Sequence, residues 1–135
     1  MPTVDTHRAK PILQPDFRHY VSLYAFNFED SPIEDLHQLQ KLWLNRNFIM
    51  VIEPLRTLKK LTTLGLFHNE ISNEIKAAEI FEELSCLKEL SVDGNPVAAK
   101  ASFKYELIVR LKGLEVLDEE PVQDLDRDVA EQFFL

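Results

Sequence analysis

One cysteine, Cys86, in 135 residues means that no disulfide can form within the chain, and a reducing, intracellular compartment is the expected setting. Glycine is nearly as scarce, with three residues, so there is no glycine-rich phosphate loop. Neither G-x-S-x-G nor H-E-x-x-H occurs, and the histidines at 7, 19, 37 and 68 are scattered. No nucleophile has an evident base, so neither enzyme activity nor a metal or cofactor is expected. Basic residues are outnumbered 15 to 23, and the net charge of −8 opposes a phosphate backbone, which argues against nucleic acid as a ligand. No apolar run approaches the roughly 20 residues of a spanning helix, and no basic-plus-apolar leader opens the sequence. The expectation is a soluble chain with no membrane partner.

What is present is a globular composition, 45% hydrophobic with 7 prolines. A chain of this length buries roughly two thirds of its unfolded surface, enough for one domain without staples. Three segments superimpose: LQKLWLNRN from Leu39, LTTLGLFHN from Leu61 and LKELSVDGN from Leu87, spaced by 22 and 26 residues. Each reads L-x-x-L-x-L-x-x-N and continues with an apolar residue two places after the Asn, at Ile49, Ile71 and Val97, which is the leucine-rich-repeat pattern. In a short strand alternate side chains face opposite sides, so Leu42 and Leu44, Leu64 and Leu66, Leu90 and Val92 point together into the stack. Asn47, Asn69 and Asn95 are expected to bond the backbone where the chain leaves each strand, forming a ladder.

Between strands, Ile52, Leu55 and Leu58 fill the outer side of the shorter unit. The longer unit carries a helix over 73–84 with Ile75, Ala78, Ile80, Phe81 and Leu84 inward, capped by Ser72 or Asn73. Its carboxylates Glu74, Glu79, Glu82 and Glu83 read as a solvated face. Cys86, just before a repeat Leu, reads as a small buried residue, and His68 as a loop-bonding one. YVSLYAFNF from Tyr20 keeps the alternation without the Asn and reads as a degenerate first strand. A second amphipathic helix over 99–111 turns Phe103, Leu107, Ile108 and Leu111 inward. The L-x-x-L phase returns at Leu114 and Leu117 and closes the stack, whose last unit would otherwise present an unpaired edge. The expected divisions are an arm over 1–19, a repeat domain over 20–122 and an acidic tail over 123–135. Residues 112–135 hold a net charge of −6. That tail reads as a solvated segment, with a docking segment or a helix packed along the cap as alternatives.

Asn95-Pro96, Tyr105, Leu111, Leu114, Leu117-Asp118 and Val122 together resemble the leucine-rich-repeat cap motif. With the repeats, residues 39–122 resemble intracellular leucine-rich-repeat proteins of the type-one phosphatase regulator kind. That group includes axonemal dynein light chains, a spliceosomal particle subunit and acidic nuclear phosphoproteins. The resemblance implies an α/β fold: a right-handed solenoid with short parallel strands on the concave face, a helical or 3-10 convex side and a C-terminal cap helix. It also implies a binding role, in a cytoplasmic, ciliary or cytoskeletal, or nuclear setting.

Strand phase places the third, fifth and seventh residues of each repeat on the concave face: Lys41, Trp43 and Asn45; Thr63, Gly65 and Phe67; Glu89, Ser91 and Asp93. Phasing the first strand from Tyr20 adds Ser22, Tyr24 and Phe26. Aromatic side chains then gather at one end, with Gly65 leaving a dip, while Glu89, Asp93 and Asp118 make the other end acidic. Exposed Trp and Tyr are characteristic of binding hot spots. The arm before Tyr20 or a neighbouring protomer is the alternative cover for these aromatics. The expected function is a non-enzymatic protein-protein interaction module or scaffold, monomeric, anchoring a helix or loop of another intracellular protein on Tyr24, Trp43 and Phe67. The alternative is a ribonucleoprotein subunit, binding RNA directly or through a companion protein.

Overall fold

The computed structural model describes residues 20–23, 26–28 and 33–135. Six short strands form one sheet in sequence order: β1 (Tyr20–Ser22), β2 (Lys41–Trp43), β3 (Thr63–Gly65), β4 (Glu89–Ser91), β5 (Val116–Leu117) and β6 (Glu120–Pro121). All neighbours pair in parallel except β5 and β6, which form an antiparallel end. Register aligns Val21, Leu42, Leu64, Leu90 and Leu117 in one row. Because alternation is strict, the described members of that row are buried together with Leu44, Leu66 and Val92, as the spacing predicts.

The crossovers follow unit length. In the 22-residue unit the chain returns through a 3-10 turn, Glu53–Thr57, opened by Pro54 and burying Leu55, with Ile52 and Leu58 buried on either side. The four extra residues of the next unit leave room for α1 (Glu74–Glu83), whose N-cap is Asn73: its Oδ1 accepts from Lys76 N at 3.0 Å. Ala77, Ala78, Ile80 and Phe81 of α1 are buried, but Ile75 is 69% exposed. At 100° per residue Ile75 stands nearly opposite the buried Ala77, which takes the inward position expected of Ile75. A second 3-10 turn, Pro96–Ala99, leads into α2 (Ala101–Arg110), which buries Phe103, Leu107 and Ile108. Cys86 is exposed in the turn before Leu87, contrary to the packing role expected of it.

Residues 124–133 are not a solvated tail. They form α3 (Asp124–Phe133), opened by a capping box between Gln123 and Asp126. Arg127 donates to Ile108 O at 2.9 Å and Leu114 O at 2.6 Å, and Ala130 is buried beneath it. The first carbonyl lies in the last turn of α2, where a helix leaves such groups unpaired, and the second in the connection to β5. Tyr105 of α2 completes the contact against Phe133, ring centres 5.0 Å apart. The antiparallel β6 places Pro121 opposite Val116 at the last edge, where a missing N–H prevents further pairing.

The asparagine ladder is formed, and it fixes the strand exits. Asn69 Nδ2 donates to Leu44 O at 2.9 Å and to Leu66 O at 3.1 Å, while its Oδ1 accepts from Ile49 N at 3.1 Å. Asn95 repeats the arrangement with Leu66 O, Val92 O and Ile71 N, and Asn47 with Leu23 O, Leu44 O and Phe26 N. All three are buried, and each amide ties one turn of the stack to the one before. In the same units the eighth residue turns left-handed: Arg46 at φ 58°, His68 at 53° and Gly94 at 80°. Only Gly94 avoids the side-chain cost of that conformation, and His68 uses the space above it, since a Cβ at Gly94 would meet His68 Nδ1 at 2.3 Å.

Candidate functional site: the open face of the sheet

Opposite the buried leucine row, the strands display Lys41 and Trp43, Thr63, then Glu89 and Ser91, half-buried or exposed. The register sets Thr63 between Lys41 and Glu89, and Gly65 between Trp43 and Ser91. Gly65 is overhung on one side by its neighbours. A Cβ there would stand 2.9 Å from Trp43 Cδ1 and 2.9 Å from Asn45 Oδ1, so both neighbouring side chains already lie over it. Glycine is needed to let the indole cross to the next strand. Beside it a shallow depression of about 180 Å³ is lined by Trp43, Thr63, Gly65, Glu89, Ser91 and Glu119.

Beyond the strands, Asn45 Oδ1 accepts from Phe67 N at 2.8 Å, which locks the two exits in register. Phe67 packs edge-on against His68, ring centres 4.1 Å apart, and Arg46 Cζ stands 5.9 Å from the Phe67 ring centre. Trp43, Asn45 and Phe67 are thus brought together as expected.

The first strand differs. Its register pairs Tyr20 with Lys41 and Ser22 with Trp43, two residues out of step with phasing from Tyr20. Leu23 takes the place of Leu44, and Phe26, three residues on, takes the ladder position that Ile49 and Ile71 reach after five. Phe26 is therefore core, stacked edge-on against Phe28 at 4.6 Å, and is not displayed on the face. The turn is two residues shorter, which explains the missing Asn. Tyr24 lies outside the described residues.

At the other end Glu89 is exposed, but Asp93 and Asp118 are engaged. Asp118 Oδ1 accepts from Val92 N at 2.7 Å and Asp93 N at 3.0 Å. Its side chain is 7% exposed, and Lys104 Nζ of α2 stands 2.8 Å from Oδ2 in a close ion contact that lacks ideal hydrogen-bond alignment, while also pairing with Asp93. Burial works against the Lys104 ammonium, yet hydrogen bonds to Asp118 and Asp93 outweigh it and raise its pKa above the ordinary lysine value. Asp118 is thus a structural cap that binds α2 to the strand exits, where part of an acidic end of the face was expected.

The exposure of Phe48, Met50 and Val51 was not anticipated. They line an open groove of about 890 Å³ with Phe26, Phe28, Arg46 and Pro54. The matching positions are Glu70, Ser72 and Asn73 in the next unit, and Pro96, Ala98 and Ala99 in the third. That contrast was a readable signal. Arg46 borders both this groove and Phe67, so the apolar surface runs from the open face over the exits at one end.

A leucine-rich-repeat family model matches residues 29–135. The chain belongs to the leucine-rich-repeat family. Dynein axonemal assembly factor 1 of Mus musculus is 38% identical over 81 residues, 59% of this chain and 13% of that protein. U2 small nuclear ribonucleoprotein A' of Aspergillus fumigatus is 31% identical over 118 residues, 82% of this chain and 46% of that one. The chain therefore spans less than half of either relative. Among solved structures, the Drosophila melanogaster SNF/U2A' complex contains a chain that superposes with a TM-score of 0.69 at 18% identity, covering 96% of this chain and 88% of that one. The Chaetomium Mex67:Mtr2 subunits give 0.58 at 26% identity, covering 76% and 74%. As a leucine-rich-repeat chain this is a protein-interaction scaffold. Among the described residues no cluster of three or more His, Cys, Asp or Glu is placed to hold a metal, and no helix is long and apolar enough to cross a membrane.

Proposed function

We propose that this leucine-rich-repeat protein is a non-enzymatic module whose open, concave face receives a helix or loop of another intracellular protein. The observation that carries the reading is the pair Trp43 and Phe67, half-buried on adjacent strand exits and continuous through Arg46 with the exposed Phe48 and Met50. Half-buried aromatics with fixed backbones lose little entropy on binding and supply most of an anchor's energy. Lys41, Asn45, Thr63 and Ser91 line the polar centre and Glu89 adds charge at the far end, setting orientation more than affinity. Asp93 takes part through its pair with Lys104. Tyr24 belongs to the same aromatic set in this reading. The chain acts as a monomer. Its winding is right-handed, as parallel crossovers are in about 98% of cases, and α2 serves as the cap.

The similar structures include the SNF/U2A' complex and the Mex67:Mtr2 subunits, and this supports a protein partner. The assembly-factor relatives favour a cytoplasmic or ciliary setting, the ribonucleoprotein relative a nuclear one. The test is affinity capture with wild type beside a Trp43→Ala, Phe67→Ala double variant of matched melting temperature. The reading expects the double variant to lose a partner; an identical set of captured proteins refutes it.

A second reading, supported by the similarity to U2 small nuclear ribonucleoprotein A', is a ribonucleoprotein subunit that reaches RNA through a companion protein. A net charge of −8 leaves direct binding weak. A labelled RNA shifted by the chain alone, with steep salt dependence, would favour direct contact; a shift only with a companion protein present supports the indirect form.

A further inference from the structure

Helix α3 turns only its small side inward. Ala130 is its buried residue, and Arg127 reaches beneath it to Ile108 O and Leu114 O. The larger apolar side chains are left largely open: Leu125 is 69% exposed, Val129 44% and Phe133, with one side of its ring against Tyr105, 52%, and Phe134 is exposed beside them with its ring 5.1 Å from Phe133. At i, i+4 and i+8 these three form one continuous row along a length of about 12 Å. A solvated helix would carry polar residues there; Phe133 rests on Tyr105 of α2 by one side of its ring, and the rest of the row, Leu125 and Val129, is left open as an apolar face.

Its border has one sign. Asp124 and Asp128 follow one another at i and i+4 along the solvent side of the row, both exposed. Among the described residues of α3 the one cation, Arg127, is turned to the backbone carbonyls of the neighbouring elements and does not neutralise that edge. The charge chooses between occupants. A second copy docking by the same face would bring two acidic rows together, and an anionic lipid surface would be repelled. What fits is an apolar ridge flanked by cations.

We propose that the Leu125–Val129–Phe133 face of α3 is a second docking surface that takes a basic amphipathic helix of a partner protein. The partner lays its apolar ridge along the row and sets its Lys or Arg residues against Asp124 and Asp128. This surface shares no residue with the open face of the sheet, so either assignment can fail while the other stands. It equips the module to hold two segments at once, one on the sheet and one on α3.

The probe is a fluorescent synthetic 18-residue helix with leucines in an i, i+3, i+4, i+7 row flanked by lysines, and a twin flanked by glutamates, titrated by anisotropy at physiological salt. Wild type and Trp43→Ala, Phe67→Ala bind the lysine peptide alike. Leu125→Ser, Val129→Ser and Asp124→Lys, Asp128→Lys, checked for unchanged melting, each bind it at least about tenfold more weakly, and the glutamate twin does not bind. No binding of the lysine peptide by wild type overturns the proposal. Binding unaffected by the serine pair also overturns it, since that would reflect only the net negative charge. A dimer in sedimentation that the serine pair dissolves assigns the face to self-association and overturns it as well.

Discussion

The indole of Trp43 lies across the backbone of Gly65 on the next strand, so close that a methyl group at Gly65 would stand 2.9 Å from Trp43 Cδ1. The open face therefore owes its aromatic platform to an absence, a glycine at a position where the neighbouring strands carry Trp43 and Ser91. Gly65→Ala is expected to displace the ring and cost about 1–3 kcal/mol through overpacking. The emission of Trp43, the single tryptophan, reports the displacement, and thermal melting reports the cost.

Asn69 sits at the centre of the ladder. Asn69→Ala leaves Leu44 O, Leu66 O and Ile49 N without their buried partner. A loss of about 3 kcal/mol or more is expected, since each orphaned group costs about 1–3 kcal/mol. Urea unfolding would show it, with the slope unchanged if the denatured state is unaltered.

Lys104 faces two carboxylates, Asp93 and Asp118, with one charge. Lys104→Met leaves the buried Asp118 carboxylate uncompensated, and a loss of about 1–3 kcal/mol is expected near neutral pH. Because the folded-state pKa of Lys104 is raised above its ordinary 10.5, the stabilisation is fully present below that value and disappears as pH rises through the folded pKa. The difference between wild type and variant should hold from pH 7 to about 10 and shrink above it, which urea unfolding across that range would record.

Arg127→Ala removes both bonds that fasten α3 to Ile108 O and Leu114 O. Faster amide exchange across α3 is expected, with exchange of β2, β3 and β4 unchanged. Uniform loss of protection would mean that α3 and the repeats form one cooperative unit.

The parts that could be read from residues alone are those fixed by local rules. Strand alternation put Leu42, Leu64 and Leu90 inside, and a buried amide at Asn47, Asn69 and Asn95 had only the strand exits to bond. The departures are tertiary. Phe26 is core because the first turn is two residues shorter, a register that only pairing with β2 reveals. Asp118 is buried because Lys104, fourteen positions earlier, arrives from another element. Ile75 and Ala77 differ only in which side of α1 meets the stack, and hydrophobicity alone favoured the larger residue. On the site, Trp43 and Phe67 followed from phase, whereas the apolar run at 48–51 needed comparison of the same positions across units.

The most direct test of the central claim is photo-crosslinking in cells that express the protein, with a benzophenone amino acid placed at Thr63 on the open face or at Glu79 on exposed α1. A discrete adduct with a second protein from position 63, and none from 79, is the predicted result. Adducts from 79 alone, or from neither position, would contradict a partner bound on the open face.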